Sequence, residues 1–238
     1  MSALLGWLWW TALPVRKRLA VNNYRAAFPE RDPGELRQTV SEMFWSYIDL
    51  IRGAPSTIFD VEIMKHGGIA LAGHGVGWDL SLIRAAQQVP VTIFVKAPTN
   101  PLAASIIRRL RAQADLELLP PRGSMASAYR ALERGRVVAF VQDQRHNAGL
   151  PVPFFGRPAR TSPAFASMAW RTRAPLFGAW PSLGPTGGYQ AHIERLDWEI
   201  PESREEAIAR LTERSALWYE QKIRQHPRGW LWLHDRWR

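Results

Sequence analysis

A short apolar segment runs into a glycine-rich loop in the stretch Ile69-Ala-Leu-Ala-Gly-His-Gly-Val-Gly-Trp-Asp79. Residues 69–72 are typical of a buried strand, and a helix is predicted to begin near Leu80. On one continuous helix, His74 and Asp79 would point about 140° away from each other, so they can meet only where the chain bends. Gly75 and Gly77 permit that bend, because glycine adopts backbone conformations closed to other residues.

The bend places His74 at the end of a strand and Asp79 in the first turn of a helix. Asp79 would then accept a hydrogen bond from one ring nitrogen and leave the other nitrogen as a base. Strand ends that open onto helix starts are also where α/β sheets place their ligands. The alternative is a structural histidine that holds the loop together, because any His and Asp can fall at this spacing.

Short apolar runs alternate with helical stretches along most of the chain. A helix begins after Asp32-Pro33, a capping residue followed by the residue favoured at the first helical position, and runs to about Gly53. Apolar runs lie at 69–72, 91–95, 116–119, 137–141 and 175–180, and helical stretches at 80–88, 100–113, 124–134, 161–171 and 203–225. A turn at 184–188 leads into a further strand at 189–195. This alternation predicts an α/β fold with a central, mostly parallel or mixed sheet flanked by helices.

An apolar segment opens the chain and is followed by basic residues at 16–18. The apolar run is shorter than the roughly 20 residues that span a bilayer, and its order is the reverse of a signal peptide. Tryptophans beside a basic cluster favour a short helix lying in the membrane interface. The alternative is a terminal helix packed on the domain itself. We expect 1–15 to be this interfacial segment and 16–238 to form a single domain.

The composition favours an anionic partner. Among 238 residues, Lys and Arg number 31 against 21 Asp and Glu, giving a formal charge of +10, and only Lys17, Lys65, Lys96 and Lys222 are lysines. Arginine binds phosphate well, and the twelve tryptophans favour an anionic membrane surface over nucleic acid. With no cysteine, disulfides, thiolate metal sites and a cysteine nucleophile are excluded. A basic lipid-binding or nucleic-acid-binding protein without catalytic activity remains the alternative.

The block at 73–79 resembles the catalytic block of the bacterial lipid A late acyltransferases, of lauroyl or myristoyl type, and the related phosphatidylinositol mannoside acyltransferases. Both belong to the glycerolipid and lysophospholipid acyltransferase superfamily marked by H-x-x-x-x-D. The resemblance covers about residues 16–238, although lipid A enzymes usually carry Glu where this chain has Asp79. Further blocks agree in order: 22–30, 100–111, Arg122, the run Gln142-Asp143-Gln144, the stretch 151–159 and the tail 227–237.

The resemblance implies a glycerolipid acyltransferase-like fold and an acyltransferase activity. A fatty acyl chain would move from an acyl thioester, on acyl carrier protein or coenzyme A, to a hydroxyl of a glycolipid, lipid A precursor or lysolipid. The catalytic residues would be His74 as base, Asp79 as its partner, and Arg111. Without a G-x-S-x-G motif, direct attack with no acyl-enzyme is the simpler mechanism. No cofactor besides the thioester co-substrate and no metal is expected.

Six further residues are expected to bind substrate: Gly75, Trp78, Arg122, Asp143, Phe155 and Gly156. Arg122, with Arg111, would hold the donor phosphates and the developing oxyanion. Asp143 would anchor the acceptor, and Phe155 and Gly156 would line an acyl pocket. The alternatives are a surface helix around Arg111, a turn cap for Asp143 and core packing for Phe155.

The resemblance also sets an expected location. We expect a peripheral enzyme of lipid A and lipopolysaccharide biosynthesis on the cytoplasmic side of the inner membrane. Its partners would be a membrane lipid acceptor, the thioester donor and the anionic membrane surface, with no nucleic acid.

Overall fold

A seven-stranded mixed sheet forms the centre of the molecule. The computed structural model describes residues 2–12, 15–95 and 101–238. The strands are β1 (Ser56–Phe59), β2 (Gly68–Ala72), β3 (Val91–Phe94), β4 (Leu116–Leu119), β5 (Val137–Val141), β6 (Leu150–Phe154), β7 (Arg157–Thr161), β8 (Leu176–Leu183) and β9 (Tyr189–Arg195). The sheet order is β1-β9-β8-β2-β5-β3-β4, and β6 and β7 form a separate hairpin. Neighbouring strands of the large sheet are parallel except β8 and β9, so the predicted α/β class is confirmed.

Helices flank the sheet, most of them where the sequence predicts a helical segment, whereas the helix over 17–27 was not predicted. They are α1 (Ser2–Thr11), α2 (Lys17–Ala27), α3 (Leu36–Arg52), α4 (Trp78–Ala86), α5 (Pro101–Arg111), α6 (Met125–Glu133), α7 (Ala164–Thr172) and α8 (Arg204–Gln225). A 3-10 turn, Pro33–Glu35, precedes α3, and Asp32 accepts the N–H of Gly34. Gly53 then ends α3 with a φ of +70°. The predicted helix and its end at Gly53 are therefore confirmed, whereas Asp32 and Pro33 begin the 3-10 turn that precedes the α-helix.

Two pieces of β-structure were not predicted from the sequence, each for a physical reason. Strand β1 is a four-residue edge strand whose residues alternate between half-buried and exposed, so it carries no strong apolar signal. The β6–β7 hairpin contains Pro151, Pro153 and Pro158, and proline cannot donate to a strand ladder. A two-stranded hairpin of edge strands tolerates these prolines, whereas a central strand would not.

The two faces of the sheet pack into different cores. In β2 the side chains alternate, so Ile69 and Leu71 join a cluster with α7, α8 and the aromatic C-terminal tail. Ala70 faces the other side, where the cluster includes Val91 and Ala139. The small side chains on this second face leave space beneath the loop that follows β2.

Helix α1 packs along α3. At Gly6 the two backbones are so close that a Cβ would lie 1.9 Å from the carbonyl oxygen of Arg37. Trp9 is buried and its indole donates to the carbonyl of Val15, whereas Leu4 and Trp7 remain exposed. Among the described residues, no helix combines the length and the apolar character needed to cross a bilayer.

A tyrosine hydroxyl joins the carboxyl ends of β2 and β5. Tyr219 of α8 is fully buried, and its hydroxyl donates to the carbonyl of Ala72 at 2.9 Å. The same oxygen accepts the backbone N–H of Gln142 at 3.1 Å. Because the two strands end in the loops that carry His74 and Asp143, this hydroxyl fixes the base of both loops.

We expect Tyr219→Phe to lower the free energy of unfolding by about 1–3 kcal/mol, because a buried N–H and a buried carbonyl lose their partner. Urea unfolding followed by tryptophan fluorescence measures the change. The control is Tyr129→Phe, since the hydroxyl of Tyr129 has no hydrogen bond within the described part of the chain. An equal loss in both variants would contradict the role given to Tyr219.

Candidate active site

His74 and Asp143 face each other at the carboxyl ends of two adjacent parallel strands. In the register of β2 and β5, Ala72 pairs with Val141, and His74 and Asp143 each follow their strand end by two residues. The ring Nδ1 of His74 lies 2.7 Å from Oδ1 of Asp143, and the backbone N–H of His74 donates to Oδ2 at 2.8 Å. The indole of Trp230 donates to the same Oδ2 at 2.9 Å.

The charge state of this pair follows from its contacts. Burial raises the pKa of Asp143, but the charge and hydrogen bonds of His74 and the indole of Trp230 outweigh it, so this pKa is lowered. An ionised carboxylate only accepts hydrogen bonds, so in the neutral ring of His74 the proton is on Nδ1 and the free lone pair is on Nε2. Burial lowers the pKa of His74, but the charges of Asp143 and Asp79 and the Asp143 hydrogen bond raise it above the ordinary histidine value.

The loop bends where the sequence predicts. Gly77 has a φ of +76° and caps α4, a conformation that other residues rarely adopt. At Gly75 a Cβ would lie 2.4 Å from the carbonyl oxygen of Pro181, so only glycine fits against that backbone. The bend turns Asp79 into the first turn of α4, as expected.

The predicted partner of His74 is nevertheless wrong. Oδ1 of Asp79 accepts two hydrogen bonds from Arg111, from Nε at 3.1 Å and Nη2 at 2.6 Å. No hydrogen bond joins Asp79 to His74 among residues 2–12, 15–95 and 101–238. Both members of the Asp79–Arg111 pair are buried, and a buried carboxylate requires such a countercharge. Asp143, and not Asp79, orients the imidazole.

Trp78 connects this ion pair to the histidine. The guanidinium of Arg111 lies over the Trp78 ring, 5.5 Å from its centroid, and the rings of Trp78 and His74 are 5.3 Å apart. Arg111 is only 5 % exposed, so the alternative of a solvated surface position is excluded for it. Burial raises the pKa of Asp79, and Arg111 and His74 offset this in part.

Nε2 is the ring nitrogen of His74 that does not bond to Asp143. The side chain of His74 is 20 % exposed, so a substrate can reach it, whereas the Asp143 side chain has no exposed surface. The side-chain amide nitrogen of Gln144 lies 3.4 Å from this Nε2. Gln144 was not among the predicted site residues.

An apolar cavity lies directly beneath the loop. Gly73 and Trp78, on either side of His74, line its upper end, and Met64 and Val137 line its far end. The space exists because five strand positions that face it are alanines: Ala70 and Ala72 of β2, Ala139 of β5, Ala179 of β8 and Ala191 of β9. A buried, nearly all-apolar space beside a histidine suits an alkyl chain.

The family model for the bacterial lipid A biosynthesis acyltransferases matches residues 56–238. The chain belongs to this family. It is therefore an acyltransferase that acts on lipids, and its acceptor and donor are a lipid and an acyl thioester. No curated protein matches the chain. Among solved structures, the 1-acyl-sn-glycerophosphate (LPA) acyltransferase PlsC from Thermotoga maritima is similar, with 13 % identity, a TM-score of 0.37, and coverage of 92 % of this chain and 95 % of that one.

Three predicted substrate contacts of the acyltransferase lie elsewhere than expected. Arg122 is exposed beyond β4, three strands from β2, which is about 14 Å at the usual strand spacing. Phe155 and Gly156 form the turn of the β6–β7 hairpin, and Phe155 packs on Phe28 in the aromatic core. They do not line the apolar cavity, so the core-packing alternative describes Phe155.

Asp143 also differs from its predicted role. It cannot anchor the acceptor, because it is fully buried and both of its oxygens already accept hydrogen bonds from the acyltransferase itself. Gly75 and Trp78, by contrast, do lie in the loop that surrounds His74. In the part of the chain that the structure describes, no group of three or more His, Asp or Glu side chains could hold a metal ion.

We expect the pKa of His74 to lie above the ordinary histidine value in the wild type and to fall in Asp143→Asn. The amide removes the negative charge that stabilises the imidazolium, and burial, which disfavours it, then dominates. Titration of the imidazole C–H signal by NMR, assigned with His74→Gln, measures both values. Asp235→Asn is the control and should leave the signal unchanged; an unmoved pKa in Asp143→Asn would refute the pairing.

Proposed function

We propose that this acyltransferase moves a fatty acyl chain from an acyl thioester to a hydroxyl of a lipid A precursor or a related glycolipid or lysolipid. His74 is the general base, and no acyl-enzyme forms. The observation that carries the proposal is the His74–Asp143 pair at the upper end of an apolar cavity. A base, a buried carboxylate that orients it and space for an alkyl chain are what direct acyl transfer requires.

In the proposed reaction the acceptor hydroxyl donates its hydrogen bond to Nε2 of His74. Its oxygen attacks the thioester carbonyl carbon, the new C–O bond forms, and the proton passes to Nε2 while the carbonyl oxygen becomes an oxyanion. The intermediate then collapses, the C–S bond breaks, and the imidazolium returns the proton to the leaving thiolate. The negative charge of Asp143 stabilises the imidazolium between these steps.

The Asp79–Arg111 pair supports this chemistry indirectly, through Trp78. Both hydrogen bonds of Arg111 to Asp79 use one carboxylate oxygen, and the guanidinium also covers Trp78. We infer that the pair holds α4 against α5, fixes Trp78 next to the imidazole, and adds a buried positive charge near the reacting groups.

The apolar cavity would hold the donor's acyl chain. Ala70 and Ala72 face the cavity from β2, the strand that precedes His74, so a chain lying along β2 would place its thioester carbon beside the imidazole. Residues at the far end, such as Met64 and Val137, would then limit the chain length. Acyl carrier protein and coenzyme A are both anionic, and both suit the basic surface.

We further propose a peripheral enzyme on the cytoplasmic side of the inner membrane. The formal charge of +10 supports binding to an anionic surface. Helix α3, which packs against α4 and α5, exposes Phe44, Tyr47 and Ile51 at three- and four-residue spacing, and α1 exposes Trp7. Apolar and aromatic side chains within a basic surface are typical of proteins that bind the lipid–water interface.

Substitution of the base is the test of this function. We expect His74→Ala to lower the turnover number by about 10²–10⁴, the usual contribution of general base catalysis. The assay uses acyl carrier protein or coenzyme A thioesters with a lipid A precursor or a lysolipid, and mass spectrometry of the product.

The matched control for this test is His146→Ala, because His146 is an exposed histidine in the loop after β5. It should keep wild-type activity. Undiminished turnover in a folded His74→Ala variant would end the assignment of His74 as base.

The cavity gives a second test. We expect Ala139→Leu to shorten the preferred acyl chain by several carbons, because a larger side chain would block the cavity two residues, about 7 Å, before the end of the strand. Competition between thioesters of different chain length measures the preference. The control is Ala126→Leu on the exposed face of α6, which adds the same bulk outside the cavity. An unchanged preference in Ala139→Leu would place the acyl chain elsewhere.

A further inference from the structure

The side chain of Gln144 occupies the position that a substrate hydroxyl must take. Its Nε2 lies 3.4 Å from Nε2 of His74, the ring nitrogen that carries the free lone pair. Since Nδ1 donates to Asp143, this lone pair can only accept, so the amide presents its N–H group to it. The acceptor hydroxyl must displace this N–H before it can transfer its proton to His74.

The backbone around Gln144 is fixed, so displacement moves the side chain alone. The preceding residue, Asp143, is fully buried and bonded to His74 and Trp230. The N–H of the following residue, Arg145, donates to Nε2 of His234 at 2.9 Å. A displaced amide therefore stays close to Nε2 of His74, beside the carbon that the hydroxyl attacks.

Several other donors around the histidine are already engaged. The backbone N–H of His74 donates to Asp143, that of Val76 to the carbonyl of Gly229, and that of Trp78 to the carbonyl of Gly75. The guanidinium of Arg111 is bonded to Asp79 through Nε and Nη2. Backbone N–H groups next to a catalytic residue often bind the oxyanion in acyl transfer, but these three have intramolecular acceptors.

We propose that Gln144 is a catalytic residue whose amide N–H stabilises the oxyanion of the tetrahedral intermediate; this inference rests on the proposed acyl transfer. When the acceptor hydroxyl binds His74, the amide swings to the thioester carbonyl oxygen. That oxygen gains the electron pair of the C=O bond as the C–O bond forms, and the N–H stabilises the charge until the pair returns and the C–S bond breaks. An asparagine or glutamine amide is suited to this role.

The test is Gln144→Met, which keeps the length of the side chain and removes its donor. We expect the turnover number to fall about 10²–10³ while KM changes little, because the donated hydrogen bond forms only on the way to the transition state. Gln144→Glu keeps the shape of the side chain but cannot donate a hydrogen bond when ionised, so its turnover number should be at least as low. It therefore tests the same role if the Met variant folds poorly. Gln113→Met, at an exposed glutamine after α5, should keep wild-type activity.

The pH profile separates this role from mere positioning of His74. An oxyanion donor lowers kcat at every pH. It leaves the midpoint of the acid limb of the kcat profile in Gln144→Met close to that of the wild type, because the amide has already left Nε2 in the substrate complex. A residue that only holds the imidazole would shift that midpoint upward, because its amide stabilises the neutral ring, and activity would recover at high pH. Recovery, or wild-type turnover in both variants, would overturn the proposal. If His74→Ala is inactive in the same assay, the proposed function stands independently of this result.

Discussion

The carboxylate of Asp143 is the buried charge on which the site depends. An unpaired carboxylate in a protein interior costs several kcal/mol, so the fold must surround it with donors. Three donors meet it here: the backbone and the ring of His74 and the indole of Trp230. They come from the end of β2 and from the C-terminal tail, so satisfying one charge joins three distant parts of the chain. The orientation of the His74 imidazole is a consequence of that requirement.

The apolar cavity imposes the opposite kind of cost. Empty space lined by alanines such as Ala70 and Ala139 sacrifices dispersion contacts that larger side chains would make. The contacts missing on this face of the sheet are offset on the other face, where Trp218, Tyr219 and Trp230 pack in the aromatic core. An acyl chain that enters the cavity would form the dispersion contacts that are missing in the free protein. These contacts would then contribute to the free energy of substrate binding.

Local pattern predicted much of the fold and part of the site. Sequence pattern predicted β2, β5 and the helices other than α2, and the glycines predicted the bend at His74. The pairing of His74 with Asp143 in place of Asp79 could not be predicted, because it depends on β5 lying next to β2. The paired residues of these strands are about 70 positions apart in the sequence. Once Ala72 and Val141 are known to pair, residues 74 and 143 are necessarily opposite each other. The alternation Ile-Ala-Leu-Ala already indicated that β2 has one face of large side chains and one of alanines. Whether the alanine face borders a cavity depends on the neighbouring strands, which the local sequence does not identify.

The surroundings of His74 also bear on whether the enzyme forms a covalent intermediate. A histidine with its Nδ1–H on a buried carboxylate is two-thirds of a catalytic triad, whose third member is a hydroxyl or thiol at Nε2. Among the described residues no serine or threonine hydroxyl bonds to that nitrogen, and the chain has no cysteine. Its neighbour is the amide of Gln144, which cannot act as a nucleophile. The acceptor lipid would therefore supply the hydroxyl that a triad takes from the protein. This supports direct attack by the substrate hydroxyl over a two-step transfer through an acyl-enzyme.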